Sequence, residues 1–435
     1  MGIKRLNFAG FLYVGSVRRS PYTRGILVLG LNQMIETIAF GIPYSYFPRY
    51  ALSLGASVAS IGLFTSSFMF MSAMLSPYLG ARSDRLGRKR LMTIGLIGDL
   101  IFGALTGLVP SWEWLILIRA LNGAATAAVI PAEALLIDLA PRDRIGEATG
   151  FVMACATVGR NIGPLFGGTV QWLSVSYGFS ELESYRIPYF VDAGLAGLSA
   201  LLVALGIKES KIATAEKKEH SEDKRFKIPR PFKVLLVVAF VTGIGEGFIR
   251  PIMALFFGDI FGAEPIEIGL LMTLSGFIAI GASWLSGKGS DRFGRKIVIA
   301  LGGVPARLLG TALALSPDFS MASILYTARG FVWRIYMVGL RSLRADLAPL
   351  EIRGRLFGLY RTFFDLGDII GPIMATYLYD VYRFETFQIG GYTVPGYGVP
   401  FYLNTTIGLI VIAILLVFVK YGEQPIYTTA PTTHQ

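Results

Sequence analysis

Charged side chains inside apolar stretches are the residues of this chain whose types and spacing could do chemistry. Glu36 lies in the first such stretch, and Glu246 lies 210 positions later in the seventh. Arg119 in the fourth and Arg329 in the tenth repeat that offset. A charge at the centre of a bilayer costs at least about 2.5–3.5 kcal/mol unless protein or water shelters it. These four positions are therefore functional candidates, with a purely structural ion pair as the alternative for Arg119.

Proton transfer is one kind of chemistry that these charges allow. The basic residues deep in the apolar stretches are all Arg, which stays protonated at accessible pH and cannot release a proton during a cycle. The two His residues, His220 and His434, fall in a linker and a tail, out of reach of the membrane interior. A carboxylate must therefore carry any proton that moves, and Glu36 is the first candidate.

Cysteine and histidine usage excludes several other kinds of site. One Cys residue, Cys155, and two His residues cannot build a disulfide framework, a Cys/His zinc cluster or a Cys-ligated iron–sulfur centre. No nucleophile and base with the spacing of a catalytic set are visible. We therefore predict no metal, no cofactor and no enzymatic activity.

Composition places the charged candidates in a membrane. The 435 residues are 53% hydrophobic and 16% charged, with a mean hydropathy of +0.57. Soluble domains usually carry about 25% charged residues. The apolar stretches are long enough to cross a hydrocarbon core of roughly 30 Å, so we predict an all-α integral membrane protein with twelve spans. The spans lie near 25–47, 58–79, 91–109, 113–136, 148–172, 187–206, 233–257, 266–286, 297–315, 321–343, 355–379 and 399–419.

Lys and Arg residues indicate the orientation. They concentrate in the tails and the even-numbered loops, whereas the odd-numbered loops hold only Arg49, Arg186 and Arg383. By the positive-inside rule, both termini of this multi-pass protein are predicted to be cytoplasmic, in the cell membrane. Segment 1–24 is expected to be an uncleaved interfacial helix and 421–435 a cytoplasmic tail. The net charge of +11 thus indicates contact with the lipid bilayer and no nucleic-acid partner.

The chain repeats itself once across a charged linker at 208–232. Ser83–Lys89 reads SDRLGRK and Ser290–Lys296 reads SDRFGRK, an offset of 207. Asp138 and Asp346 each begin the sequence Asp-Leu-Ala-Pro, at an offset of 208. Two six-span halves that both start on the same side must be parallel repeats about an axis along the membrane normal. The predicted halves are 25–207 and 233–420.

The loop after the second span resembles the GxxxDRxGR[RK] motif of the major facilitator superfamily, and the loop after the eighth span supplies a second copy. The resemblance covers essentially the whole chain and implies twelve transmembrane helices in two pseudo-symmetric six-helix bundles. It also implies a cytoplasmic latch between helices, with Asp138 and Asp346 as partners of Arg88 and Arg295. Plain positive-inside charge is the alternative interpretation. The motif residues are Gly80, Asp84, Arg85, Gly87 and Arg88 in the first copy, and Gly287, Asp291, Arg292, Gly294 and Arg295 in the second.

Two further motifs lie inside the spans. The sequence from Arg119 to Gly123 is similar to the family's RxxQG motif, with Asn122 in place of Gln. The fifth span resembles the gxxxGPxxGG signature of the family's drug–proton antiporters. Small residues at this spacing allow close helix contact, and proline bends a helix, although a generic packing face would explain the glycines alone. The signature residues are Gly159, Gly163, Pro164, Gly167 and Gly168, and Gly371 and Pro372 repeat part of it.

The family fold places spans one, four, seven and ten around a central cavity. This implies two symmetry-related carboxylate–guanidinium sites, Glu36 with Arg119 and Glu246 with Arg329. Asn122, Arg160 and Arg334 are further candidates for the substrate cavity. Separation of Glu36 from its Arg partner would let the carboxylate take a proton, which is our hypothesis for coupling. Pairing within a single helix is the alternative where an opposite charge lies one turn away, as for Glu246 with Arg250 and for Asp365 with Arg361.

The interpretation we favour is a proton-coupled antiporter that exports small, amphipathic molecules by alternating access and acts as a monomer. Uptake of a sugar or organic anion keeps the same fold and reverses the direction, with arginines such as Arg160 and Arg334 holding a carboxylate. A non-transporting receptor on the same fold is the third possibility. Latch motifs in both halves argue against it, because a static receptor has no need of a lock that opens and closes.

Overall fold

The computed structural model of the chain describes residues 22–129, 131–209 and 228–419. Most of the expected interfacial segment, linker and tail therefore lies outside the described residues. The described part is almost entirely helical, which confirms the predicted all-α fold. The helices are α1 (Arg24–Gly41), α2 (Phe47–Ser53), α3 (Val58–Leu86), α4 (Arg88–Leu108), α5 (Trp112–Val129), α6 (Ala132–Leu139), α7 (Ile145–Ser176), α8 (Glu181–Gly206), α9 (Arg230–Phe261), α10 (Pro265–Phe293), α11 (Arg295–Ala314), α12 (Phe319–Leu347), α13 (Arg353–Tyr382) and α14 (Val399–Phe418).

The described ranges contain twelve long helical segments, with α5 and α6 together counted as the fourth, and these segments form two six-helix bundles. Nine of the segments in the described ranges are long and apolar enough to span a membrane. The other three, α7, α12 and α13, are 32, 29 and 30 residues long, so they exceed the roughly 20 residues that a span needs. Their charged residues, such as Arg160, Arg329 and Asp368, make them more polar than the rest.

Helix ends differ most from the predicted spans at the loops that carry the repeated motif. Helix α3 continues to Leu86 and α10 to Phe293, about seven residues past the predicted ends. Gly87 and Gly294 then take φ values of +93° and +89°, which only glycine adopts without strain. The motif is thus a helical end followed by a one-residue turn, because the next helices begin at Arg88 and Arg295.

A short β-hairpin between α13 and α14 is the one departure from helical structure that the sequence analysis did not predict. Strand β1 (Thr386–Ile389) pairs antiparallel with β2 (Tyr392–Pro395), and Gly390 and Gly391 form the turn. Both glycines have positive φ, at 58° and 84°, as the tightest type of hairpin turn requires.

Glycines let α7 and α13 pack closely within their own halves. A Cβ atom on Gly159 or Gly167 would overlap the carbonyl groups of Met34 or Ile42 at α1 and just beyond its end. Gly367 and Gly371 stand in the same relation to α9 in the second half. The small residues of the predicted kink motif therefore set the distance between the first and fifth helices of each bundle.

The two bundles meet at the end opposite the repeated motif. Thr376 on α13 accepts a hydrogen bond from the Gly62 amide and donates one to the Ala59 carbonyl of α3. Arg49 and Asp259 add an ion pair of 3.3 Å between the halves. One hydrophobic core at this end contains residues of both bundles, including Phe64, Tyr189, Phe256 and Phe401.

The bundles separate at the end that carries the repeated motif. The buried clusters there divide into one around Leu96 and Leu135 in the first half and one around Tyr336 and Leu356 in the second. A Cβ atom on Gly80, Gly287 or Gly354 would meet no atom within 4 Å. The molecule is thus closed at one end and open at the other.

Candidate functional site

A cavity lies at the interface between the two bundles, about 230 Å³ in volume. It is below the roughly 300–1,000 Å³ of drug-sized ligand sites, so in this conformation it suits a small ligand or part of a larger one. Charged, polar, aromatic and apolar residues from both halves line the cavity. They are Tyr44, Arg160, Asn161 and Pro164 from the first half and Glu246, Ile249, Arg250, Met253, Met272, Tyr326, Arg329 and Trp333 from the second.

Glu246 and Arg329 both line the cavity but do not form the expected ion pair. Glu246 instead accepts a hydrogen bond from the indole nitrogen of Trp333. Arg329 lies 6.0 Å from the Trp333 ring, and no described carboxylate lies within the 4.0 Å of an ion pair with it. Glu246 and Arg329 are thus electrostatic neighbours that both contact or approach Trp333. The Arg329 guanidinium has no carboxylate partner among the described residues and is available to bind a ligand.

Arg250 on α9 forms an ion pair with a residue of another helix in the same bundle and not with Glu246 on its own helix. Its Nη1 lies 3.5 Å from Asp368 Oδ2, which joins α9 to α13. The alternative of a Glu246–Arg250 pair within one helix is therefore absent. On α13, by contrast, Arg361 and Asp365 are 2.8 Å apart, as the one-turn spacing indicated.

Arg307 is a charged residue that the sequence analysis did not include among the site residues. It is only 4% exposed, and its Nη1 donates a hydrogen bond to Asn404. Its guanidinium lies 4.8 Å from the Trp333 ring, on the far side of the cavity wall. The signal in the sequence was an Arg within an apolar run on α11, but the first half has no arginine at the equivalent position, as it has Arg119 for Arg329.

Arg160 and Arg334 are exposed at the interface between the bundles. Arg160 lines the cavity from α7, and Arg334 lies on α12 one residue after Trp333. The two guanidinium groups are close enough to repel each other electrostatically, and no described carboxylate lies within 4.0 Å of either. Both candidates therefore add unpaired positive charge to the interface.

The predicted site of Glu36 and Arg119 is wrong in its geometry. Glu36 lies inside the first bundle beside Ser199 of α8, not in the central cavity and not against Arg119. The Ser199 hydroxyl accepts a hydrogen bond from Asn32, one turn before Glu36. Glu36 Oε1 is buried and has no hydrogen-bond partner in the described structure. The orientation of helix α1 turns the Glu36 side chain toward α8.

Arg119 lies among aromatic rings of the same bundle. Its guanidinium is 4.4 Å from the Phe47 ring and donates a hydrogen bond of 3.4 Å to the Tyr189 hydroxyl. The carboxylate that it faces is Asp192 on α8, which the sequence analysis overlooked. A lone Asp in the apolar sixth span was the available signal.

A third carboxylate, Asp99 on α4, completes this cluster. Asn122 and Thr126 donate hydrogen bonds of 3.4 and 3.5 Å to Asp99 Oδ1. Glu36 and Asp192 are its electrostatic neighbours. Glu36, Asp99 and Asp192 form what we term the carboxyl cluster, and no described cation lies within 4.0 Å of any of them.

The two bundles carry opposite charge at matched positions. Asp99 on α4 corresponds to Arg307 on α11 at an offset of 208, and Arg160 on α7 corresponds to Asp368 on α13 at the same offset. The interior of the first bundle holds three carboxylates and Arg119. The cavity face of the second bundle is rich in arginine. The two repeats of the fold therefore differ in the charge that they bury, negative in the first bundle and positive in the second.

The latch residues lie at the open end. Arg88 Nη1 is 2.7 Å from Asp138 Oδ2, and Arg295 Nε is 3.0 Å from Asp346 Oδ2. Each pair lies within one bundle, so it ties α4 to α6 or α11 to α12 and does not join the halves. The side chains of Asp84 and Asp291 lie outside the described residues, and Arg85 and Arg292 are exposed.

Comparison with known proteins follows the same division into halves. A family model described as the Major Facilitator Superfamily matches residues 29–237 and 235–434. The multidrug resistance protein MdtG of Enterobacter lignolyticus is 28% identical over 381 residues, which cover 84% of this chain and 88% of that protein.

Solved structures share the fold at lower identity. A bacterial homologue of the human lysosomal transporter Spinster, in an inward-facing and unoccupied conformation, matches with a TM-score of 0.76 at 18% identity, over 92% of this chain and 98% of that one. The xylose transporter XylE from E. coli matches with a TM-score of 0.68 at 14% identity, over 92% and 96%.

Proposed function

The chain belongs to the Major Facilitator Superfamily, and from this we propose that it is a proton-coupled exporter of small, amphipathic molecules. It is a membrane transporter and not an enzyme. The observation that carries the proposal is the carboxyl cluster, three membrane carboxylates held inside one bundle of a protein that also has a polar cavity between its bundles. The name of its relative MdtG, a multidrug resistance protein, supports the direction of transport.

The carboxyl cluster has the properties of a proton-binding site. A carboxylate in a low-dielectric interior is costly when no cation lies within ion-pair distance of it, and a proton removes that cost. The Oε1 atom of Glu36 has no hydrogen-bond donor, so a proton on this group leaves no other contact unmade. Arginines cannot take this role, because they do not release their protons.

Alternating access links the protons to the substrate. The described conformation is open at the latch end. From the distribution of Lys and Arg we propose that this end is cytoplasmic and that the multi-pass protein lies in the cell membrane. Substrate enters the cavity from the cytoplasm while the carboxyl cluster loses its protons there. Rocking of the bundles then exposes the cavity outside, where protons bind as substrate leaves. Because a single chain contains both halves, we propose that the monomer transports.

Flux in proteoliposomes tests the proposal. We choose two probes with the same ring system and opposite permanent charges, the anion naphthalene-2-sulfonate and the cation (naphthalen-2-ylmethyl)trimethylammonium. Because neither probe gains or loses a proton, a pH gradient alone does not trap it in the vesicles. An exporter that exchanges substrate for protons accumulates a probe in vesicles with an acidic interior. A symporter accumulates it when the acid is outside.

Each outcome has a separate meaning. Accumulation of either probe in vesicles with an acidic interior, driven by the outward flow of protons, supports export by antiport. Accumulation only with acid outside favours uptake of a metabolite and overturns the proposed direction. Movement of both probes only down their own gradients, with no response to pH, removes the proton from the mechanism. No movement of any kind, with no ligand-induced change of conformation, favours a receptor.

A further inference from the structure

The geometry points to an organic anion as the substrate: a single carboxylate, sulfonate or phosphonate group on a flat apolar body, held by Arg160 and Arg329. This inference deepens the proposed export function and rests on it. It concerns the cavity between the bundles and leaves the carboxyl cluster to the protons.

The charge of the cavity wall is the first argument. Three guanidinium groups line it, from Arg160, Arg250 and Arg329, against the single carboxylate of Glu246. Arg334 adds a fourth positive charge close to Arg160. A cavity of this composition favours a negatively charged ligand, because burial of like charges without a counterion is costly.

The existing contacts identify the arginines that are free. Arg250 is held by Asp368 at 3.5 Å, and Glu246 accepts the indole proton of Trp333. Arg160 and Arg329 make no ion pair with any described residue. Both present planar donors that can bind a carboxylate, sulfonate or phosphonate through two parallel hydrogen bonds.

The remainder of the wall describes the body of the ligand. Trp333, Tyr326 and Tyr44 offer aromatic surface, and Met253 and Met272 offer flexible apolar surface. Methionine adapts to ligands of different outline, which suits a site that accepts a class and not one compound. The cavity of about 230 Å³ has room for a fused bicyclic ring that carries one anionic group.

The repeat explains how one fold serves both a proton and an anion. At matched positions the first bundle has Asp99 and the second has Arg307. The first bundle thus keeps the buried carboxylates, and the second supplies two of the three arginines of the cavity wall, Arg250 and Arg329, which face Arg160 of the first. A cationic substrate would instead need carboxylates on the cavity wall, where Glu246 alone is present and already bonded.

Binding of the two naphthalene probes to the purified full chain in nanodiscs tests the inference. We expect naphthalene-2-sulfonate to bind saturably and to raise the thermal midpoint, and the trimethylammonium probe to bind at least tenfold more weakly. Arg160→Gln and Arg329→Gln should each weaken sulfonate binding at least tenfold, while Arg160→Lys should retain part of it. Arg142→Gln, an exposed residue of a loop, is the matched control and should change nothing.

The two variants guard against loss of fold, because Arg160 is exposed whereas Arg329 is more enclosed. Equal or tighter binding of the cation, no saturable binding of either probe, or sulfonate binding that ignores both arginines would overturn the inference. Sulfonate that binds through the arginines but does not respond to a proton gradient leaves the substrate class standing and removes the export mechanism. Proton-driven export of the cation alone would support the export mechanism and overturn the anionic substrate class.

Membrane potential supplies a second readout in proteoliposomes. Exchange of one monoanion for one proton moves two charges, whereas exchange of one monocation for one proton moves none. A potassium diffusion potential applied without a pH gradient should therefore drive sulfonate flux in the wild-type protein. Sulfonate flux that does not respond to the potential contradicts transport as an anion.

Discussion

Gly62 of α3 lies directly against the Pro372 carbonyl of α13, so close that a Cβ atom would overlap it, and Gly269 of α10 stands in the same relation to Pro164 of α7. The two contacts are repeat equivalents, at offsets of 207 and 208, and both join one bundle to the other. The proline of each kink motif therefore meets a glycine of the opposite half. The close contact exists only while this end of the molecule is closed.

Gly62→Ala should shift the protein away from the conformation described here. The added methyl group meets the Pro372 backbone, which cannot move aside as a flexible side chain could. We expect the latch end to close in a larger share of molecules. Distances between spin labels at positions 146 and 354, in a background with Cys155→Ser, should become shorter. Gly281→Ala is the control, since no atom lies within 4 Å of its Cβ position, and an unchanged distance in both variants would refute the prediction.

Glu36→Gln should abolish transport driven by a pH gradient. Glutamine keeps the size of the side chain but cannot take up and release a proton in a cycle. Exchange of internal for external naphthalene-2-sulfonate at equal pH should persist, because the cavity is unchanged. Glu133→Gln, the same substitution at an exposed position of α6, should transport normally. Gradient-driven flux that survives in Glu36→Gln means that this residue is not the proton carrier.

Arg119→Met should destabilise the first bundle. The substitution leaves Asp192 without its cationic neighbour and removes the contacts with Phe47 and Tyr189. We expect a loss of about 1–3 kcal/mol, because a buried charge then lacks its counter-charge. The thermal midpoint of the purified protein measures this loss. Arg119→Lys retains the charge and should recover part of the midpoint, and an Arg119→Met variant as stable as the wild-type protein contradicts this account.

Exchange of the latch charges should be tolerated better than their removal. Arg88→Ala breaks a pair of 2.7 Å whose side chains are 25% and 30% exposed, and we expect a lower thermal midpoint. Arg88→Asp combined with Asp138→Arg should recover part of it, because the opposite charges still meet between α4 and α6. The Arg295 and Asp346 pair offers the same comparison in the other half. A double variant no more stable than the single one would show that the pair contributes little.

The sequence was sufficient to predict the twelve helices, their repeat and the neighbours of the latch arginines. Apolar length and charge placement determine where helices begin and end, and Gly87 and Gly294 mark turns that other residues cannot adopt without strain. The adjacent glycines at positions 390 and 391 are also the sequence signal of the tight hairpin turn between β1 and β2.

The partners of the buried charges could not be predicted in the same way. Each residue turns a helix by 100°, so the depth of Glu36 does not determine whether it faces α5 or α8. Arg250 had a carboxylate one turn away in sequence, yet its partner is Asp368, 118 positions further on. Asp192 had no motif around it. Such pairings depend on how the helices pack, which a single sequence does not specify.

Three helices of this fold, α7, α12 and α13, are long enough to span a bilayer but too polar to do so readily on their own. Each arginine at mid-depth opposes partition from the translocon into lipid. They must therefore enter the membrane alongside earlier helices, and synthesis of the chain must hold them near the insertion machinery until partners arrive. The charged residues that line the cavity thus also make membrane insertion depend on the order in which the helices leave the ribosome.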